Sequence, residues 1–234
     1  MIKSTFRYLV MAFACLAFSA CQKDDPSNSL AEDDISLYAT RGTNPGIYDA
    51  QGRYRILRGV NYNVLGDYWA ANPNIPTTAT YDPEQFRLMA TYGFDMVRLL
   101  FSWSLLEPQP GVIDYEYINK IKRAIEDASK HGLYIMIDMH QDAFSKYLFT
   151  PRDVTCEYPQ SGWDGAPAWA VITDGASTCQ TRPGSRESPR AVAHAWQNLW
   201  DNTNGIQDNL IAAWAELVRH CAKYDNVMGY DLVN

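Results

Sequence analysis

Val227-Met-Gly-Tyr-Asp-Leu-Val-Asn234 is a short apolar run that leads into polar residues, and Ile56–Asn61, Met96–Phe101 and Ile135–His140 have the same form. Runs this apolar belong to strands buried on both faces, the habit of parallel sheets covered by helices. Helical patterns lie between them. Asp82-Pro83 supplies an N-cap and a proline at the first helical position, opening a helix that ends before Gly93. Tyr115–His131 carries Ile118, Ile121, Ile125 and Ala128 at helical spacing, with Gly132 just past its end. Asp208–Tyr224 sets Leu210, Trp214, Leu217, Val218 and Cys221 on one stripe. Strand–helix–strand repetition predicts an α/β fold. Four strands with three helical crossovers make half of a (β/α)8 TIM barrel. A doubly wound sheet is the rival, but no Gly-rich phosphate loop follows any strand. In a barrel the reactive groups gather where the strands end, so the polar closings of these runs are the places to look.

Two further segments bear on the domain. Ile47–Leu57 reads as a small hairpin turning at Gln51-Gly52 and feeding the first strand. Residues 141–207 form an abnormally long connection after the third strand, and connections of that length are functional or locally structured. It holds Trp163, Trp169, Trp196 and Trp200, so it is expected to wall a binding cleft. The domain is therefore placed at residues 46–234.

Ahead of it, Lys3 and Arg7 form a charged start, Leu9–Phe18 an apolar stretch and Ser19-Ala20-Cys21 a small-residue cleavage site. That pattern is similar to a bacterial lipoprotein signal over residues 1–20, with Cys21 acylated after cleavage. Residues 21–45 then read as a flexible acidic tether. The expectation is an exported lipoprotein, held to a membrane through Cys21, at the outer membrane or cell surface or in the periplasm. Such a compartment permits disulfides, and Cys156 and Cys179 lie within one long loop as a possible pair. Cys221 sits on an apolar helical stripe as a buried free thiol.

Charge narrows the partners. A net charge of −7 and a sequence pI near 5.0, with no basic stripe, argue against nucleic acid. The aromatic share of 13% suits either core packing or flat sugar faces. The four His residues, His131, His140, His194 and His220, show no metal-ligand spacing, and no metal or other cofactor is expected.

Alternation along the third strand puts Met136, Asp138 and His140 on one face. A buried polar group must be satisfied, so Asp138 reads as a structural ion pair with an Arg from a neighbouring strand or as a site residue. His140, nearest the mouth, reads as functional. Asp142 faces a ligand or serves as a loop charge. Arg98 interrupts the apolar Met-Val-Arg-Leu-Leu run, and a guanidinium there needs carboxylate partners that its fixed fork would orient.

Leu57-Arg-Gly-Val-Asn61, Gly93-Phe-Asp-Met-Val-Arg98, Leu106-Glu-Pro108 after Trp103, Asp138-Met-His-Gln-Asp142 and Tyr230-Asp-Leu-Val-Asn234 together resemble glycoside hydrolase family 5. Asp138–Asp142 followed by Gly165-Ala-Pro-Ala-Trp169 most resembles its endoglycoceramidase branch. The resemblance implies a retaining hydrolysis of a β-glycosidic bond, with the sugar–ceramide bond of a glycolipid as the expected substrate. It implies that Arg98 supports the catalytic groups, that His140 and Asp142 contact the sugar nearest the scissile bond, and that Asn234 binds its 2-hydroxyl. It places the acid/base Glu directly after Asn234 and the nucleophile Glu much later, so residues 1–234 are expected to be inactive alone. The alternatives are a glycan-binding surface lipoprotein without catalysis and an endoglycosidase of β-glucan or cellulase type.

Overall fold

The computed structural model describes residues 36–67 and 80–234. The signal segment, the acylated Cys21 and the acidic stretch up to Asp34 lie outside the described residues. Leu37–Thr40 (β1) and Gly46–Asp49 (β2) pair antiparallel in a two-stranded sheet. A second turn follows at Gly52, where Asp49 accepts from Gly52 N–H and Arg55 N–H donates back to Ile47. The sequence hairpin at Gln51-Gly52 is therefore present, and β1 lies ahead of residue 46. The expected domain boundary falls at the start of β2, and the folded unit takes in Ile35–Asn234.

The main sheet has four strands: Gly59–Leu65 (β3), Met96–Phe101 (β4), Tyr134–Met139 (β5) and Val227–Asp231 (β6). They stand in sequence order and every pairing is parallel. The first strand lies three residues later than the apolar run at Ile56 suggests, and Ile56 itself is 74% exposed. The ladder begins at Gly59 because β3 and β4 approach there so closely that a Cβ would collide with the Met96 carbonyl. Inward-facing Tyr62, Val64 and Leu65 then supply the buried face.

Helices cover the sheet. Glu84–Thr91 (α1) joins β3 to β4, and Asp82 caps it by accepting from Glu84 N–H at 3.0 Å. A short turn, Trp103–Leu106 (α2), leads to Tyr115–Ser129 (α3), whose first turn is capped by Asp114 through Tyr117 N–H at 2.9 Å. Such a cap contributes about 1 kcal/mol. Ile118, Ile121, Ile125 and Ala128 of α3 are all buried, as their spacing demands. Ile206–Cys221 (α5) buries Leu210, Trp214, Leu217 and the Cys221 thiol, leaving Val218 at the margin. The Trp214 ring stands edge-on to Phe101 and Tyr230, at 5.4 and 6.0 Å between centroids, and its Nε1 donates to Leu232. That bond fixes the backbone just beyond β6.

The long connection is not loop throughout. It contains a helix, Arg190–Trp200 (α4), that the sequence reading missed. Its buried stripe of Ala191, Val192, Ala195 and Leu199 keeps ordinary helical spacing and Pro189 stands at its N-terminus, so the signal was there to be read. A bridge between Cys156 and Cys179 closes the front of this connection, with Cα atoms 5.6 Å apart. The loop between them spans 23 positions, and chain entropy assigns a bridge of that span about 3 kcal/mol. Cys156→Ser is expected to lower the unfolding free energy by that order, and the urea midpoint with it, and to make 157–178 the first segment cut by protease. An unchanged midpoint would refute this. Among the described residues no helix is long and apolar enough to cross a membrane.

Candidate functional site

Parallel register sets Asp138 of β5 level with Asp231 of β6, and Arg98 of β4 reaches up between them. Its Nη2 lies 2.6 Å from Asp231 Oδ2, 3.1 Å from Asp138 Oδ1 and 2.8 Å from Asn234 Oδ1. Nε adds a second bond to Asp231 at 3.1 Å. The guanidinium orients three groups at once, with a fixed planar geometry that an ammonium lacks. The Asp138 oxygen facing Arg98 has no aligned hydrogen bond, so that contact is chiefly electrostatic. The ion pair expected of Asp138 with a neighbouring-strand Arg is the arrangement seen.

The other Asp138 oxygen meets His140 Nδ1 at 3.0 Å, and His140 Nε2 faces Asp142 at 3.6 Å. Asp142 is held from outside by Arg186, 2.6 Å away, whose guanidinium lies over the Trp163 ring at 4.4 Å. Burial works against a charged His140, but the bonds to Asp138 and Asp142 and the nearby Asp164 charge outweigh it and raise its pKa to about 9. The backbone after Asp142 is left-handed at Ala143 and Phe144, with φ of 50° and 71°. Glu187 accepts from Ala143 N–H and Gln141 from Phe144 N–H, which offset the strain. Gln141 also binds Asn234 in both directions, its amide donating to the Asn234 carbonyl at 2.7 Å and its own carbonyl accepting from Asn234 Nδ2 at 3.1 Å.

Arg98, His140, Asp142 and Asn234 are thus joined by one chain of contacts at the C-terminal ends of the strands. Cys156 and Cys179 lie apart, in the connecting loop. Asp231, Gln141, Arg186 and Asp164 belong to the constellation and were not singled out from sequence. Asp231 and Gln141 sit inside the quoted motifs, whereas nothing in sequence marks Arg186. The four Trp of the connection divide. Trp169 packs inward on Trp103 at 5.3 Å and donates to the Glu107 carbonyl. Trp196 lines a small hollow of about 30 Å³ with His140 and Phe144, stacked on Trp200. Only Trp163 and Trp196 therefore stand at the walls.

Asp164 lies behind this group with no exposure, accepting from Ser102 Oγ at 3.1 Å. Burial, partly countered by His140, pushes its pKa up to about 6. His140, Asp142 and Asp164 bring donor atoms within 4.8 Å of one another. The His140 ring faces Asp138 and Asp142, and Asp142 is bonded to Arg186, so protein partners already engage these donors. An Asp whose folded pKa is raised from 3.8 gives up stability as pH climbs from that value to about 6. A gap of about two units is worth ~3 kcal/mol. Asp164→Asn is accordingly expected to stabilise the protein at pH 8 by up to that amount and to change little near pH 4. A loss of stability at pH 8 would contradict the assignment.

Residues 49–234 match the family described as Cellulase (glycosyl hydrolase family 5). Endoglycoceramidase I of Rhodococcus hoagii is 29% identical over 197 residues, covering 80% of this chain and 35% of the relative. The endoglycoceramidase of Hydra vulgaris is 25% identical, with 80% and 38% covered. Among solved structures, an endogalactoceramidase superposes with a TM-score of 0.78 at 42% identity, over 85% of this chain and 44% of that one. A ganglioside GM3 complex of endo-glycoceramidase II from Rhodococcus sp. gives 0.64 at 31% identity, over 81% and 42%. The chain spans less than half the length of these relatives, and its four parallel strands with their helices are part of the (β/α)8 barrel those structures share. The chain belongs to the cellulase family, glycosyl hydrolase family 5.

Proposed function

We propose that this chain recognises a β-linked sugar at the ends of β5 and β6, as part of a retaining glycosidase acting on the sugar–ceramide bond of glycolipids. The observation that carries the reading is the Arg98 fork, which holds Asp138 and Asn234 together and, through Asp138, fixes His140 beside Asp142. The relatives named endoglycoceramidase support the glycolipid class. Retention needs two carboxyls about 5–5.5 Å apart across the scissile bond. Asp142 and Asp164 come close enough, but Arg186 occupies the first and burial seals off the second. Family resemblance assigns cleavage to two Glu, the acid/base directly after Asn234, and leaves His140, Asp142 and Asn234 to recognition of the sugar.

Titrating the isotope-labelled chain with lactose tests this, lactose being the β-linked disaccharide of a ceramide headgroup. Shifts at His140 and Asn234, stronger than those from cellobiose, are expected, with no release of sugar from lactosylceramide. Absence of any shift refutes the binding reading. Turnover by residues 1–234 refutes the division between recognition and cleavage, and a preference for cellobiose favours a β-glucan substrate. Membrane attachment through an acylated Cys21 is a separate part of the proposal, supported by sequence alone. Labelled palmitate should enter the native protein and not Cys21→Ser.

A further inference from the structure

We propose that Asp164 is a positioning residue of this site: anchored by Ser102, its buried carboxylate keeps the His140 imidazole doubly protonated, so that both ring N–H groups donate. Its value for sugar binding rests on the function proposed above, whereas its effect on His140 does not.

A neutral imidazole has one N–H. The Asp138 carboxylate at Nδ1 takes that proton, which would leave Nε2, the nitrogen facing Asp142, as an acceptor only. A second proton turns Nε2 into a donor and leaves Asp142 to accept from a sugar hydroxyl. Holding that second proton in a half-buried ring requires negative charge close by.

Asp164 supplies the charge from the rear. Ser102 Oγ donates to its Oδ2, and Ser102 is itself fixed, because its Oγ accepts from Asp67 N–H at 2.7 Å and its own N–H donates to Tyr117 Oη at 3.1 Å. The Asp164 carbonyl accepts from Asp142 N–H at 3.2 Å, which ties its backbone to the acid it stands beside. Its other carboxylate oxygen is buried with no hydrogen-bond partner. Such an oxygen is costly, and a positive ring within 4.8 Å is a physical reason to keep it. Gly165, next in the chain, has φ 128° and packs its Cα on the Phe144 carbonyl, so the carboxylate cannot withdraw by a simple shift of its loop.

The surrounding charges are otherwise engaged. Asp138 lies across the ring against Arg98, Asp142 is bonded to Arg186, and Asp67 is bonded to Lys146. Tyr117, the remaining titratable group on this side, has its hydroxyl committed to Ser102 and the Leu65 carbonyl. Asp164 is thus the acid of this cluster with no cation of its own other than His140. The raised pKa of His140 owes most to its bonds with Asp138 and Asp142, and the Asp164 charge adds to them.

Ring-¹⁵N NMR titration of His140 in the full chain, native and Asp164→Asn, tests the proposal. The substitution keeps shape and an acceptor for Ser102 while removing the charge. The His140 titration should fall by about one unit, tenfold in its acid constant, with His194 and His220 unmoved. An unmoved His140 overturns the proposal. Ser102→Ala, which frees the carboxylate without neutralising it, should move His140 the same way by less, and serves if the first variant does not fold. Lactose affinity should fall with rising pH about one unit earlier in Asp164→Asn than in the native chain. If the native chain shows no lactose shift while His140 moves in the variant, the sugar reading fails and the coupling stands.

Discussion

Arg98→Met is expected to lower the unfolding free energy by ~3 kcal/mol, because it takes from the buried Asp138 carboxylate one of its two cationic partners and leaves only His140. Asp138 has no exposed surface, and Arg98 is the cation beside it on the neighbouring strand. Asp231 is less sealed, at 31% exposure, and its pairing adds a smaller share. Arg98→Lys keeps a charge but loses the fork, so it should recover part of the stability without recovering the Asn234 contact. In the double variant Arg98→Met/Asp138→Leu the half-paired charge is gone and part of the loss should return, the remainder being the His140 bond to Asp138. Urea unfolding of the four proteins at pH 7 measures this. A deficit below about 1 kcal/mol in Arg98→Met would show that the pair is solvated and that Arg98 is not the organiser of the site. Lactose binding should vanish in Arg98→Lys even where the fold is retained, since Asn234 is then held by Gln141 alone.

Strand identity was legible because burial on both faces forces apolar runs, and β4 and β5 appear within a residue of where those runs lie. β3 was displaced because a run is not a ladder. Ile56 is apolar yet exposed, and pairing starts only where Gly59 permits close approach to β4. α4 was legible too, since Ala191, Val192, Ala195 and Leu199 hold helical spacing, but the long connection around it reads as loop.

The site divides along the same line. Arg98 and Asp138 were visible as polar residues inside apolar strands, where desolvation makes any charge conspicuous. Asp164 and Arg186 come from the long connection, where polar residues are ordinary and only folding shows which ones turn inward. Asp164 ends with no exposure and Arg186 becomes the outer brace of Asp142. Sequence spacing carries no trace of a contact between β5 and a loop whose path depends on the Cys156–Cys179 closure and on α4.

Beneath that loop lies the second large effect. Lys146 and Asp67 form an ion pair at 2.9 Å, each only 1% exposed. Asp67 also accepts from Ser104 Oγ at 2.8 Å, and its N–H donates to Ser102, the residue that anchors Asp164. Lys146→Met takes the cation from a carboxylate sealed from water, and a loss of ~3–5 kcal/mol is expected. Met keeps the length and apolar stem of Lys, so the loss reports charge rather than a cavity. Asp67→Asn/Lys146→Met should regain most of it, because a neutral amide is far less costly to bury than a lone carboxylate. Should Lys146→Met alone prove nearly neutral, the pair would be carrying little net stability. The buried network also predicts coupling across it. With Lys146 gone, the negative charge of Asp67 on the Ser102 side of Asp164 is less offset, so the Asp164 proton should be held more tightly. The stabilisation from Asp164→Asn at pH 8 should therefore be larger in Lys146→Met than in the native chain, a double-mutant difference of ~0.5 kcal/mol or more. Strict additivity would show that Ser102 insulates the two acids.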